Sequence, residues 1–138
     1  MFCTSLDRHR DLGLLLLRFG IGIMFMYHGW PKIMGGTATW AKLGGAISNF
    51  GITFFPVFWG FMAAFAEFGG GLLLVLGLFF RIANLLLTIT MIVAISTKFA
   101  SGVGFAGAAQ PIELGILFLS LILIGPGKYS FDENFRRR

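Results

Sequence analysis

What most limits the fold of this chain is the placement of its charges. Four stretches, at about residues 12–34, 55–80, 82–99 and 111–125, are apolar and nearly free of them. A helix needs about 20 apolar residues, at about 1.5 Å of rise each, to cross a membrane. The first two stretches are long enough to cross at a tilt, the third is near the minimum and the fourth is short. Four crossings are the best count. Composition agrees, with 57% hydrophobic and 12% charged residues, where soluble domains run near half and a quarter. The predicted fold is all-α, a transmembrane four-helix bundle, with residues 1–138 as a single domain.

The connections differ in kind. Between the first two stretches, Trp40, Leu43, Ile47 and Phe50 recur at three-and-four spacing, which predicts a short interfacial helix over about residues 38–50. The run "GLFFRIA" leaves almost no loop between the second and third stretches. The run "ASGVGFAGAAQ" reads as a flexible, Gly-rich loop before the fourth. Arg8, Arg10, Arg81, Lys128 and Arg136 to Arg138 fall on one side of this layout, and Lys32, Lys42 and Lys98 on the other. That asymmetry predicts both termini on the cytoplasmic side. The net charge of +5 then reflects topology and anionic lipid headgroups rather than nucleic acid. Arg18 interrupts the first stretch and no cleavage site follows, so a retained helix is expected there rather than a signal peptide. Cys3 is the single cysteine and reads as an incidental thiol, which excludes a redox pair or cysteine metal cluster.

Charges inside an apolar span cost about 2.5–3.5 kcal/mol each, so each one calls for a partner. Glu67 lies in "AAFAEFGGG", centred in a stripe with Gly60, Ala63, Ala64, Gly70, Gly71, Leu74 and Gly77. Small residues let another helix approach closely. Arg18, Gly22, Phe25, Gly29 and Lys32 line one face of the first helix, and Asn84, Thr88, Met91, Ile95 and Lys98 one face of the third. Counting rise along the helices puts Glu67 roughly level with His28, with Arg18 roughly 12 Å nearer the cytoplasm. Arg18 or His28 is therefore the expected partner of Glu67, while Lys32 and Arg81 snorkel at helix ends. Glu113, two residues after Pro111, reads as a first-turn cap of the fourth helix, or as a partner of Lys98 or Lys32. This polar core either fastens the helices or lines a ligand or proton site; the residues leave both open. Gly22, Gly29, Gly70 and Gly71 are the helix-packing candidates. Two histidines, neither at ligand spacing, supply no metal site. No phosphate loop, dinucleotide fingerprint or nucleophile elbow occurs either.

Three runs together resemble the DoxX family: "LLRFGIGIMFMYHGWPKIMGG", "AEFGGGLLLVLGLFFRIANLLL" and "ELGILFLSLILIGPGKYSFDE". The resemblance implies a four-helix protein of the bacterial inner membrane and a shared core of Arg18, His28, Gly29, Lys32, Glu67, Gly70, Gly71, Arg81 and Glu113. It also implies an accessory role beside a quinone-linked oxidoreductase, with no cofactor of its own, a quinone as the candidate ligand and a redox protein as partner. A quinone would then sit near Phe25, Tyr27 and His28. The competing expectations are a binding or transport protein for a lipid or other hydrophobic small molecule, and a non-catalytic assembly scaffold.

Overall fold

The computed structural model describes residues 4–138; Cys3 lies outside them. The order of elements is α1 (Thr4–Asp7), α2 (Arg10–Met34), α3 (Gly36–Gly44), a 3-10 turn (Gly45–Phe50), α4 (Pro56–Leu76), α5 (Phe80–Ala100), α6 (Gly104–Ile124) and α7 (Phe131–Arg136). Among the described residues there is no strand. Four helices, α2, α4, α5 and α6, are long and apolar enough to cross a membrane. The fold is the expected all-α four-helix bundle, with the expected short helix between its first two spans.

Two boundaries move. α5 and α6 are 21 residues each, about 31 Å of helix, enough to span. α6 begins at Gly104, so most of the run expected to be a flexible loop is helical instead. Glycine costs a helix about 1 kcal/mol relative to alanine, but inside hydrocarbon an unpaired backbone group costs several kcal/mol. The second penalty wins, and only residues 101–103 link α5 to α6.

α2 lies along α4, α4 along α5 and α5 along α6. Both described ends of the chain and the α4–α5 link sit at one end of the bundle, here the terminal end; the other is the loop end. Leu14, Phe25, Leu74, Leu87, Phe118 and neighbours from all four spans make an apolar core toward the terminal end. Phe25 and Phe118 meet edge to face at 5.1 Å. Leu16, Ile23, Phe65, Leu85, Ile92 and Leu119 point outward and are exposed, as suits a surface solvated by lipid.

The α2–α4 contact is set by missing side chains. A Cβ on Gly22 would lie 2.7 Å from the Gly71 carbonyl, and one on Gly29 2.7 Å from the Phe68 nitrogen. A Cβ on Gly70 would press on Leu87 of α5 at 3.0 Å. α3 follows α2 and packs on the first turns of α4, where Gly60 meets the Trp40 backbone and Gly44 meets Pro56. The 3-10 turn reaches α5, with the Asn49 amide donating to Ser96 Oγ at 3.3 Å.

α4 stops at Gly77, whose φ of 65° is left-handed. The Gly77 N–H donates to Leu74 O and the Leu78 N–H to Leu73 O, at 3.2 and 3.1 Å, the paired closure of a Schellman motif. Phe79 is also left-handed, at φ 46°, and an L side chain there costs about 1–2 kcal/mol. Phe79 is exposed, so little packing depends on its ring. Phe79→Gly is expected to raise stability by about 1 kcal/mol, seen as a higher unfolding midpoint. An unchanged or lower midpoint would show that the ring contributes more than the strain costs.

Candidate functional site

Glu67 is paired with Lys32, not with Arg18 or His28. Lys32 Nζ lies 2.7 Å from Oε1 and 2.6 Å from Oε2 of Glu67. The glycines explain the choice. Gly29 brings α2 against the backbone of Phe68, one residue from Glu67. Lys32 is one turn farther along the same face and reaches back to it. His28 points the other way and is exposed, with its ring edge-on to Tyr27 at 5.5 Å. Depth along the helix places His28 well enough; its direction around the helix rules it out.

The pair is only partly enclosed, with side-chain exposures of 34% for Lys32 and 12% for Glu67. Trp40 lies over Lys32, its indole N–H donating to the Lys32 carbonyl at 2.9 Å. Trp40 also meets Phe61 at 5.0 Å, and Trp30 on α2 meets Phe68 on α4 at 5.6 Å. A charged pair thus sits among rings, between α2, α3 and α4, toward the loop end. An ammonium carries three N–H donors and Glu67 takes two. One donor is left for another acceptor.

Arg18 does different work. It is 1% exposed and donates to four backbone carbonyls: Leu74 from Nε and Val75 from Nη2, both at 3.0 Å, and Pro126 and Tyr129 from Nη1 at 3.0 and 2.9 Å. Two turns inside α2, Arg18 is level with the end of α4, where the last carbonyls have no partner in their own helix. A guanidinium supplies five donors in a fixed fork, and four are used here. The tail after α6 completes this clasp. Asp132 accepts from the Phe79 and Phe80 N–H groups at 2.9 and 2.8 Å, capping α5. Asp11 accepts from the Lys128 N–H at 2.9 Å. Ser130 caps α7 by accepting from the Glu133 N–H at 3.2 Å. Sequence reasoning missed Asp132, Asp11 and Ser130, although S-F-D-E at residues 130–133 has the form of a capping box.

The other candidates do not join one cluster. Asn84 is buried, but its amide donates to Phe80 O and Thr88 Oγ1 donates to Asn84 O, so the polar face of α5 bonds within its own helix. Asn84 Oδ1 and Trp59 Nε1 are buried with no hydrogen-bond partner among the described residues. Glu113 is not a first-turn cap. With α6 starting at Gly104 it stands mid-helix, exposed, and is paired with neither Lys98 nor Lys32. Phe25, Tyr27 and His28 line no common pocket, since Phe25 turns inward to Phe118 while Tyr27 and His28 face out. Two clefts, of about 210 and 300 Å³, lie at the terminal end beside Arg18 and Arg81. No group of three or more His, Cys, Asp or Glu among the described residues is placed to hold a metal.

Four apolar spans, with a partly enclosed ion pair between the first two and an arginine clasp at the opposite end, define a small multi-pass membrane protein. The DoxX family model matches residues 13–101, and the chain belongs to the DoxX family. It is 29% identical to inner membrane protein YqjF of Escherichia coli over 133 residues, covering 93% of this chain and 95% of that one. It is 36% identical over 92 residues to a Bacillus subtilis protein named "Putative oxidoreductase CatD", covering 67% of this chain and 63% of that protein. An uncharacterized Haemophilus influenzae protein is 29% identical over 141 aligned positions, covering 98% of this chain and 99% of the other. No solved structure matches.

Proposed function

We propose that this protein is a membrane-embedded accessory subunit of a quinone-linked oxidoreductase, and that Lys32 and Glu67 form the polar end of its quinone site. The observation that carries this reading is the half-open ion pair, with one ammonium donor to spare, set among Trp30, Trp40, Phe61 and Phe68. A quinone needs a donor for its carbonyl oxygen and flat apolar walls for its ring, and these residues fit both needs. Lys32 would donate to the carbonyl. Glu67 would hold the ammonium in place and carry a proton between the site and its surroundings. The quinone supplies the redox chemistry and the partner protein the electrons. The oxidoreductase name of the Bacillus subtilis relative supports this reading. The name of the Escherichia coli relative supports placement in a bacterial inner membrane. The basic residues of the terminal end, Arg81, Lys128 and Arg136 to Arg138 among them, favour both termini in the cytoplasm.

The test is binding. A short-chain quinone analogue at about 100 times its Kd is expected to stabilise the purified protein by about 2.7 kcal/mol. The Lys32→Met/Glu67→Leu double variant should not respond. Quinone should also be found in lipid extracted with the wild type. No co-purifying quinone and an unmoved melting temperature would overturn the proposal. Stabilisation by a fatty acid or phospholipid instead would assign the same pair to a lipid-binding protein.

A further inference from the structure

Glu113 is the tenth of the 21 residues of α6, which puts it near the middle of the span. It is exposed, and it makes no hydrogen bond or ion pair with any described residue. α6 already has its core face, through Ala108, Pro111, Gly115, Phe118 and Leu121. At 100° per residue Glu113 stands almost opposite that face. A carboxyl group pointing into hydrocarbon is costly wherever nothing covers it.

The residues around Glu113 are patterned. Ala106, Gln110, Glu113, Leu117, Ser120 and Ile124 follow one another at steps of four, three, four, three and four. That is the heptad spacing of a helix–helix seam; it runs the length of α6 with Glu113 and Ser120 facing away from the bundle, while Leu117, at its edge, also packs against the protein's own core. Ala106, Gln110 and Ile124 are exposed, and Leu117 and Ser120 are half-buried. The seam joins a small residue for close approach with an amide donor one layer from a carboxyl acceptor, which is how spans associate in lipid. Gln110, like Glu113, has no partner among the described residues.

We infer that α6 is a self-association surface, and that its occupant is α6 of a second copy of this chain, packed parallel about a two-fold axis. Two copies inserted in the same direction present the same seam at the same depth, so the match needs no adjustment of level. Across the axis the Gln110 amide of each copy donates to the Glu113 carboxyl of the other. The surface is self-complementary, as a two-fold interface requires. It lies on a different helix from Lys32 and Glu67 and does not depend on their role.

Single-molecule photobleaching of the labelled full-length protein in phospholipid vesicles reads this directly. The wild type is expected to bleach mainly in two steps. Glu113→Leu should weaken association at least tenfold, and Glu113→Gln, which keeps a hydrogen-bonding side chain, should retain most of it. In a Cys3→Ser background, Ala106→Cys, which leaves Gln110 and Glu113 in place, should form disulfide-linked pairs. Leu85→Cys, on the exposed face of α5, should not. One-step bleaching of the wild type, equal association of Glu113→Leu, or equal cross-linking at position 85 would each overturn the inference.

Discussion

Replacing Arg18 with Met is expected to destabilise the protein by about 4 kcal/mol, more than any other single substitution of a charged residue in the chain. Hydrogen bonds to a charged group are worth about 1.5–3 kcal/mol each, and a buried group left unpaired costs about 1–3 kcal/mol. Arg18 serves four carbonyls from two separate segments, so its loss leaves acceptors stranded in α4 and in the tail together. Arg18→Lys should recover part of the loss, because an ammonium is a point donor that cannot span the same four positions. Thermal unfolding in micelles gives the ranking wild type, Lys, Met. Limited trypsin digestion gives the mechanism: cleavage after Lys128 should accelerate in the Met variant as the tail comes away. Equal midpoints for the Met variant and the wild type would show that the tail docks without Arg18.

The second large effect is a lack of additivity at the ion pair. Lys32→Met strands the Glu67 carboxylate and is expected to cost about 3 kcal/mol. Glu67→Leu should cost less, about 1–2 kcal/mol, because Lys32 is near the end of α2 and can extend its ammonium toward water. The two changes together should fall within about 1 kcal/mol of the wild type, since replacing both members of a buried pair by apolar groups is often neutral. A double-mutant cycle in micelles should therefore return a coupling of about 3 kcal/mol. Additive losses would mean that the two side chains act independently. A stable double variant that no longer responds to the quinone analogue would separate the proposed site from the scaffold that carries it.

Much of this architecture is legible in the residues, and the failures share a cause. The face of α2 carrying Arg18, Gly22, Phe25, Gly29 and Lys32 is readable from spacing alone, as is the small-residue stripe around Glu67. Their pairing is not, because rise along a helix gives depth but not how two helices are set against each other. That setting comes from the contact of Gly29 with the Phe68 backbone, which favours Lys32. Arg18 is misread for a related reason. A charge search looks for a carboxylate, whereas its partners are backbone carbonyls, invisible in a sequence. Glu113 is misread because Pro111 suggests a helix start; Pro111 in fact lies inside α6. Asp132 and Ser130 lie beyond the last apolar stretch, where hydropathy carries no signal, although the third of the DoxX-like runs contains both.

The arginine clasp also orders events in time. Pro126 and Tyr129 leave the ribosome 108 and 111 residues after Arg18, so the first span is made before the tail carbonyls that accept from its arginine exist. Until translation reaches them, Arg18 has only the α4 carbonyls of Leu74 and Val75 to receive its donors. Its remaining two acceptors arrive only with the final segment. The clasp therefore ties the last-made segment of the chain to its first span, and docking of the tail is the step that completes it.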